Sequence, residues 1–267
     1  MLSRDELTRY SRNIFLSEVG RAGQERLRAA RVFVIGAGGR GAPVLMYLAA
    51  AGVGHIACMD GDQLELTNLQ RQVLFSTADV GRPKALAAAE RIAALNPHVE
   101  IQPIVDRFTP DNAAALLRDY DLLIETSDNF PTKFLANDAA VLAGLPLITG
   151  GILRFEGQVL AVRPGESACY RCIFETLPPA DAVPNCAQAG VLGAIAGVVG
   201  SLQAAEALKI LSGAAPDEAI FGQLTVLDLL GGGIRRLAVT RRAGCPVCGE
   251  QAEIRSLDQK NYDESSG

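Results

Sequence analysis

The chain has no tryptophan, only two histidines, and aromatic residues make up just 5% of its 267 positions. His55 and His98 stand apart from each other and from any acidic or cysteine cluster, which excludes a catalytic dyad or a metal centre built on imidazole. Positive charge is also scarce: 25 Lys and Arg against 30 Asp and Glu give a net charge of −5, with no strongly basic block anywhere. A chain so balanced has no general affinity for nucleic acid or for an anionic membrane surface. Long apolar runs are missing too. The longest, from Gly190 to Leu202, lasts about 13 residues before Gln203, Glu206 and Lys209 interrupt it, short of the roughly 20 that span a bilayer. It reads as a buried helix. The N-terminus, Met1-Leu2-Ser3-Arg4-Asp5-Glu6, is charged and has no apolar core of the kind that directs secretion, so the expected compartment is the cytoplasm.

What the chain does have is glycine in one telling place. Val32-Phe33-Val34-Ile35 breaks into Gly36-Ala37-Gly38-Gly39-Arg40-Gly41 and resumes as Pro43-Val44-Leu45-Met46-Tyr47-Leu48, a pattern that predicts strand, glycine loop and helix. Such a loop lets backbone N–H groups approach a phosphate, and the helix N-terminus adds a favourable dipole. His55 to Met59 reads as a second strand, and Asp60 follows Gly41 by 19 residues, where a ribose-binding carboxylate belongs. Gly36, Gly38, Gly39, Gly41 and Asp60 therefore form a candidate nucleotide site. The loop alone does not say which nucleotide.

The remaining chain alternates strands and helices. Two short helical patterns, Asp5 to Leu16 and Gln24 to Ala30, precede the glycine loop as an N-terminal helical segment over residues 1–30. After Asp60 comes a polar stretch through Gln72, too polar for a core helix and too long for a plain turn. An alanine-rich helix then runs from Ala85 to Leu95 and is stopped by Asn96-Pro97. Further units follow: a strand at Glu100 to Val105, a helix at Asp111 to Arg118, a strand at Asp121 to Glu125, a helix at Lys133 to Leu142 and a strand at Leu145 to Thr149. This alternation predicts a Rossmann-like α/β fold over residues 31–150, with a doubly wound, mainly parallel sheet that binds ligands beyond the carboxyl ends of its strands. From residue 151 to 255 the strands, Phe155 to Val162, Gln223 to Leu227 and Ile234 to Val239, predict an antiparallel extension of the same domain. A proline-bearing loop, Leu177 to Pro184, and a helix at Ala194 to Leu211 interrupt it. Residues 256–267 are polar and aperiodic, and disorder is expected there.

Four of the six cysteines form two pairs, Cys169-Tyr170-Arg171-Cys172 and Cys245-Pro246-Val247-Cys248. Two such knuckles supply four thiolates to a tetrahedral zinc ion, provided that the fold brings them together across the intervening sequence. A redox pair is the alternative, but both pairs fall outside the alternating core. Cys58 lies within a strand as a small core residue; Cys186 sits in a loop and belongs to neither pair.

Taken together, Gly36-Ala37-Gly38-Gly39-x-Gly41, Asp60-x-Asp62 with Asn68-Leu69-x-Arg71-Gln72, Lys84, Thr126-Ser127-Asp128-Asn129, the paired knuckles, and Gly200-Ser201-Leu202-Gln203 with Glu206 resemble the ThiF/MoeB/HesA adenylyltransferases from about Arg9 to Cys248. The resemblance implies ATP-dependent adenylation of the C-terminal glycine of a ubiquitin-like sulfur-carrier protein ending in Gly-Gly. It implies MgATP as co-substrate, zinc in the cysteine cluster, and a homodimer in which Arg12 reaches the phosphates of the other subunit. One departure is Arg40, where the family usually carries an apolar residue; it either crowds the loop, points to solvent or contacts phosphate. The rhodanese-like domain that some relatives append is not among these residues, so a persulfide donor, a cysteine desulfurase or a rhodanese, is expected as a partner.

The chemistry gives each residue a task. A carboxylate must attack the α-phosphorus of ATP, so the site has to neutralise several negative charges and hold the attacking anion close. Arg71 and Lys84 supply cations, Asn68 a neutral hydrogen-bonding group, Asp60 the ribose contact and Asp128 a ligand for Mg²⁺. No general base is required, because the attacking carboxylate is already ionised at neutral pH. Cys186 is the candidate thiol for a later sulfur-transfer step. Two other readings compete: an NAD-dependent dehydrogenase, which explains the glycine loop and Asp60 only, and a catalytically inactive scaffold that binds a carrier. The pathway served, whether thiamine, molybdopterin, tRNA thiolation or cysteine synthesis, is left open.

Overall fold

In the computed structural model, which describes residues 1–179 and 189–263, the first strand, β1 (Arg31–Ile35), sends alternate side chains to two different cores. Val32 and Val34 face one apolar cluster and Phe33 and Ile35 the other. A strand buried on both faces has no polar side to alternate with, hence its unbroken apolar run. β2 (His55–Met59), β3 (Glu100–Ile104), β4 (Leu122–Glu125) and β5 (Leu147–Leu153) join it in parallel, and β6 (Glu156–Val162), β7 (Gln223–Asp228) and β8 (Gly233–Ala238) continue the same sheet antiparallel. The resulting eight-stranded order is β3-β2-β1-β4-β5-β6-β7-β8. The order reverses between β1 and β4, which opens a crevice at their carboxyl ends. The doubly wound parallel sheet and its antiparallel extension are thus as expected. Residue 150, where the sequence changes character, lies within β5 opposite Val159, so the two parts share one sheet.

Helices cover both faces. On one lie α3 (Gly20–Ala29), α4 (Gly41–Ala51), α5 (Lys84–Leu95) and the long α9 (Gly193–Ser212); on the other lie α6 (Pro110–Leu117), α7 (Phe130–Ala143) and the short α8 (Tyr170–Ile173). α9, at 20 residues, is long and apolar enough to cross a membrane by composition. In this fold it packs on α4, α3, β5 and β6, burying Ile195, Ala196, Val199 and Gln203. The predicted first helix is two, α1 (Arg4–Arg9) and α2 (Ser11–Ile14), which break at Tyr10, whose buried hydroxyl accepts from Asn96 Nδ2 at 2.8 Å. That tertiary anchor fixes the break.

The tail differs from the expectation of disorder. Leu257 packs against the second core, a 3-10 turn forms at Gln259–Asn261, and Tyr262 is buried with its hydroxyl donating to Asp138 Oδ2 at 3.2 Å. Two apolar anchors in an otherwise polar segment have no periodicity to betray them, yet they suffice to hold it. Residues 264–267 lie outside the described residues.

Candidate active site

The β1–α4 turn begins at Gly36, whose φ of +93° favours glycine and whose added Cβ would meet Thr126 Oγ1 at 2.9 Å. At Gly41 a Cβ would stand 2.1 Å from the Gly36 carbonyl oxygen, so no larger residue starts α4 in this position. α4 then opens with no side-chain hydrogen bond on its first turn. Its N-terminal dipole points into the crevice, which suits an anionic ligand.

Asp60, at the end of β2, is held firmly: Oδ2 accepts from the Ala37 N–H at 2.8 Å and Oδ1 from the Asp62 N–H at 2.9 Å. Burial pushes its carboxyl above the ordinary value, against the opposing pull of Lys84 and these two N–H groups. Lys84 is buried at the first position of α5, where a cation opposes the helix dipole, and its Nζ lies 3.1 Å from Asp62 Oδ2. Arg40 is likewise a cation at a helix N-terminus, one position earlier, just before α4. Lys84, a cation at the wrong end of its helix and lining the crevice, is placed for a ligand with several negative charges. Arg71 is half-buried and, among the described residues, its side chain makes a single hydrogen bond, Nη1 to the Thr67 carbonyl at 3.2 Å. Asp128 is exposed, and no hydrogen bond or ion pair engages its carboxylate among the described residues.

These groups line one cavity of about 1180 Å³, which includes Gly36, Gly38, Gly39, Asp60, Arg71, Lys84 and Asp128. Its volume exceeds the roughly 300–1,000 Å³ of small-molecule sites, which leaves space beside a nucleotide for an extended chain. Gly41 lies behind the loop as its packing partner. Asn68 is buried in the polar stretch, where its Oδ1 accepts from the Glu65 N–H at 3.1 Å, and it is not part of the cavity wall. Arg12 is exposed on α2 and does not reach this cavity from its own chain. Cys186 lies outside the described residues.

Beneath the Thr126–Asn129 loop the structure adds Glu125 and Lys133, which the sequence did not point to, and shows what Arg40 and Gln72 touch. Glu125, fully buried at the end of β4, pairs with Lys133 of α7 and accepts from Thr149 Oγ1 at 2.7 Å. Arg40, 3% exposed, donates to the carbonyls of Ser127 and Gly150, and so neither crowds the loop nor points to solvent. Burial alone raises the Glu125 carboxyl, but Lys133 and Arg40 outweigh it and hold it below the usual carboxylate range. Burial pushes the Lys133 ammonium down to about 8 against the pull of Glu125. Gln72, also buried, lines the cavity next to Gly38 and leaves its Oε1 without a partner among the described residues. The only sequence signal for the ion cluster was a carboxylate closing an apolar strand.

On the far side of α7 the two cysteine pairs meet. Cys169, Cys172, Cys245 and Cys248 are all buried, with their sulfurs within 4.8 Å of one another. Individual Sγ···Sγ separations of 3.4, 3.6 and 3.9 Å match the spacing of about 3.8 Å that a tetrahedron of Zn–S bonds of ~2.3 Å requires. The Arg242 N–H points at Cys172 Sγ at 3.5 Å, a contact that stabilises a thiolate. Arg171, between the first pair, forms a two-pronged ion pair with buried Asp138 of α7, and Asn137 Oδ1 accepts from the Tyr170 N–H at 2.8 Å.

Comparison with known proteins agrees with this geometry. The chain is 50% identical over 260 residues to a sulfur carrier protein adenylyltransferase of Thermus thermophilus, covering 96% of this chain and 95% of that protein. It is 47% identical over 257 residues to the adenylyltransferase and sulfurtransferase MOCS3 of Sus scrofa, covering 96% of this chain but only 56% of that longer protein. Among solved structures, E. coli MccB with ATP superposes with a TM-score of 0.75 at 26% identity, covering 90% of this chain and 73% of the other. A match to the ThiF family spans residues 10–247, and the chain belongs to that family.

Proposed function

We propose that this chain is an adenylyltransferase that uses ATP to activate the C-terminal glycine of a ubiquitin-like sulfur-carrier protein. The observation that carries the reading is the single cavity in which a glycine loop, the ribose-side carboxylate Asp60, the cations Arg71 and Lys84 and the free carboxylate Asp128 converge. In the reaction a carrier carboxylate oxygen bonds to the α-phosphorus, the bond to the bridging oxygen breaks, and pyrophosphate leaves with its negative charge. Arg71 and Lys84 face that charge, and the glycine loop with the α4 N-terminus cradles the phosphates. Asp60 takes the ribose hydroxyls. Asp128 fits Mg²⁺, since an unpartnered carboxylate at the cavity wall is the hard oxygen ligand that ion uses, and the ion supplies neutralisation of phosphate charge. The cysteine cluster fits zinc in a closed structural site with no position left for substrate.

Neither competing reading has comparable support. A dehydrogenase leaves Arg71, Lys84 and Asp128 without a task, and an inactive scaffold leaves the whole constellation unused. The curated relatives named above are adenylyltransferases. The exposed position of Arg12, away from its own cavity, supports a homodimer in which it serves the partner's site. Mixing Arg12→Ala with Asp128→Ala chains would then restore about a quarter of the parental sites, since half of the dimers are mixed and each of those has one intact site. No recovery after verified subunit exchange argues against the shared site. Downstream, in the cytoplasm, the terminal sulfur of a persulfide donor attacks the acyl-adenylate and expels AMP. The Cys186 thiolate then attacks the resulting acyl disulfide, releasing the carrier thiocarboxylate and leaving a disulfide between Cys186 and the donor; Cys186→Ala should slow that step while sparing adenylation. The decisive assay is ATP–pyrophosphate exchange with candidate carriers, each with and without its terminal glycine. Equal exchange with truncated carriers would overturn the substrate assignment.

A further inference from the structure

Asp128 is suspended between two residues that are each anchored by hydrogen bonds. Ser127 gives its N–H and its Oγ to Glu125 Oε1, both at 2.6 Å, and its carbonyl accepts from Arg40. Asn129 caps α7, its Oδ1 accepting from the Thr132 N–H at 2.9 Å. The Asp128 carboxylate itself has no hydrogen-bond partner among the described residues, so its place is set by the main chain on either side. The loop is tied to the phosphate cradle in both directions: Thr126 Oγ1 donates to the Ile35 and Gly36 carbonyls at 2.7 and 2.9 Å, and Arg40, just past the glycines, donates back to Ser127. The second Arg40 contact, to Gly150, anchors the same guanidinium to β5.

We propose that Arg40 is a positioning residue for the adenylation reaction: by clamping the carbonyls of Ser127 and Gly150, it fixes the Asp128 carboxylate relative to the glycine loop. This rests on the function proposed above. A charged group buried to 3% exposure costs several kcal/mol of desolvation unless it is fully paired, and a purely structural pair would need only Glu125 and Lys133, which already balance each other. The extra cation instead spends its donors on two main-chain carbonyls that flank the site. Replacing it with leucine leaves the Glu125–Lys133 pair intact and the Gly150 carbonyl still served by Lys133, so that Ser127 alone loses an anchor.

The test uses the full chain carrying Arg40→Leu or Arg40→Lys, with Asp128→Asn alone and combined with Arg40→Leu. Arg40→Leu should lower kcat for ATP–pyrophosphate exchange by about 10- to 100-fold, the effect of a misplacement on the order of 1 Å, and raise the Mg²⁺ concentration needed for half-maximal rate. The KM for the carrier should stay within about twofold, and Arg40→Lys, which reaches one carbonyl but not both, should recover part of the loss. In the Asp128→Asn background the further loss should be less than about twofold, because the carboxylate being positioned has lost its charge. A carrier-free measurement accompanies this: binding of Mn²⁺·ATP, followed by paramagnetic relaxation, should weaken several-fold in Arg40→Leu, and the double variant should bind no more weakly than Asp128→Asn alone. Parental kcat and metal dependence in Arg40→Leu, or losses that multiply with Asp128→Asn, overturn the clamp. If the parent binds Mn²⁺·ATP but no carrier supports exchange, the carrier assignment fails and the clamp is decided by the binding series alone.

Discussion

The nucleotide crevice and the cysteine lobe are both built against α7, the crevice at its N-terminal end and the lobe at Asn137 and Asp138, and they treat their polar groups in different ways. In the lobe the buried groups are engaged with one another: Arg171 grips Asp138, Tyr262 closes on the same carboxylate, and four sulfurs face one another. In the crevice, among the described residues, the Asp128 carboxylate has no hydrogen bond or ion pair and Arg71 a single hydrogen bond, while Lys84 opposes the dipole of its own helix. Satisfied groups lower the energy of the fold; spare ones raise it unless a ligand completes them. The difference separates scaffold from chemistry without reference to any relative. It also predicts that a substitution in the lobe changes stability, whereas one in the crevice changes rate.

The sharpest attempt to break this contrast is Asp128→Asn, which removes a charge with almost no change in volume. Adenylation should fall by a factor on the order of 10² or more, with the thermal midpoint unchanged, because no described contact is lost. An unchanged exchange rate at saturating MgATP would place the metal-binding charge elsewhere. In the lobe the converse holds. Cys172→Ser should abolish zinc retention and lower the midpoint by more than about 10 °C, while the residual folded enzyme keeps its rate within a few-fold. Freshly purified parent protein that contains no zinc by elemental analysis would remove the basis for that expectation.

How much of this contrast was legible in the residues depends on range. The glycine loop, Asp60 and the cysteine pairs are local patterns, because turn geometry, strand ends and metal knuckles constrain neighbours in sequence, and the structure places all of them as expected. The alternation of β and α elements likewise gave the doubly wound sheet, since parallel strands need helical crossovers. Glu125, Lys133 and Arg40 were not legible as a cluster: they come from three different elements, and their spacing follows neither a helix face nor a strand face. Asn68 looked like a ligand from its company, yet its buried Oδ1 serves its own loop. The tail was read as disordered on composition, which does not register that Leu257 and Tyr262 find sockets in the second core.

The Glu125 cluster lies between the two regimes, buried like the lobe but built around the crevice, and pH resolves which it follows. Its carboxyl titrates below its ordinary value of 4.5, so its contribution to stability is complete above that pH and lost as the pH falls through the lower folded value. Thermal midpoints measured from pH 7 down to 3 should therefore decline below about 4.5. Glu125→Gln, which leaves Arg40 and Lys133 facing each other without a counter-charge, should cost about 3 kcal/mol at neutral pH and flatten the acid decline. A variant with the parental acid profile would show that other carboxylates dominate it.

The smallest expected effect belongs to Tyr262→Phe, and it asks whether the tail is part of the lobe or merely rests on it. The substitution keeps the buried ring and removes one hydroxyl that donates to Asp138 Oδ2 at 3.2 Å. Bonds to charged acceptors are worth up to about 3 kcal/mol, but this one is long, and Asp138 retains both prongs of Arg171 and the Asn137 amide. The carboxylate is therefore not orphaned, and the loss should be about 1 kcal/mol, or roughly 2–4 °C in midpoint for a domain of this size. Exchange activity should be unaltered, since the hydroxyl is spent on Asp138, which is not among the residues that line the cavity. A fall in rate without a fall in stability would show instead that the tail, whose Gln259 and Tyr262 also border the cavity, acts on the substrate side of the wall.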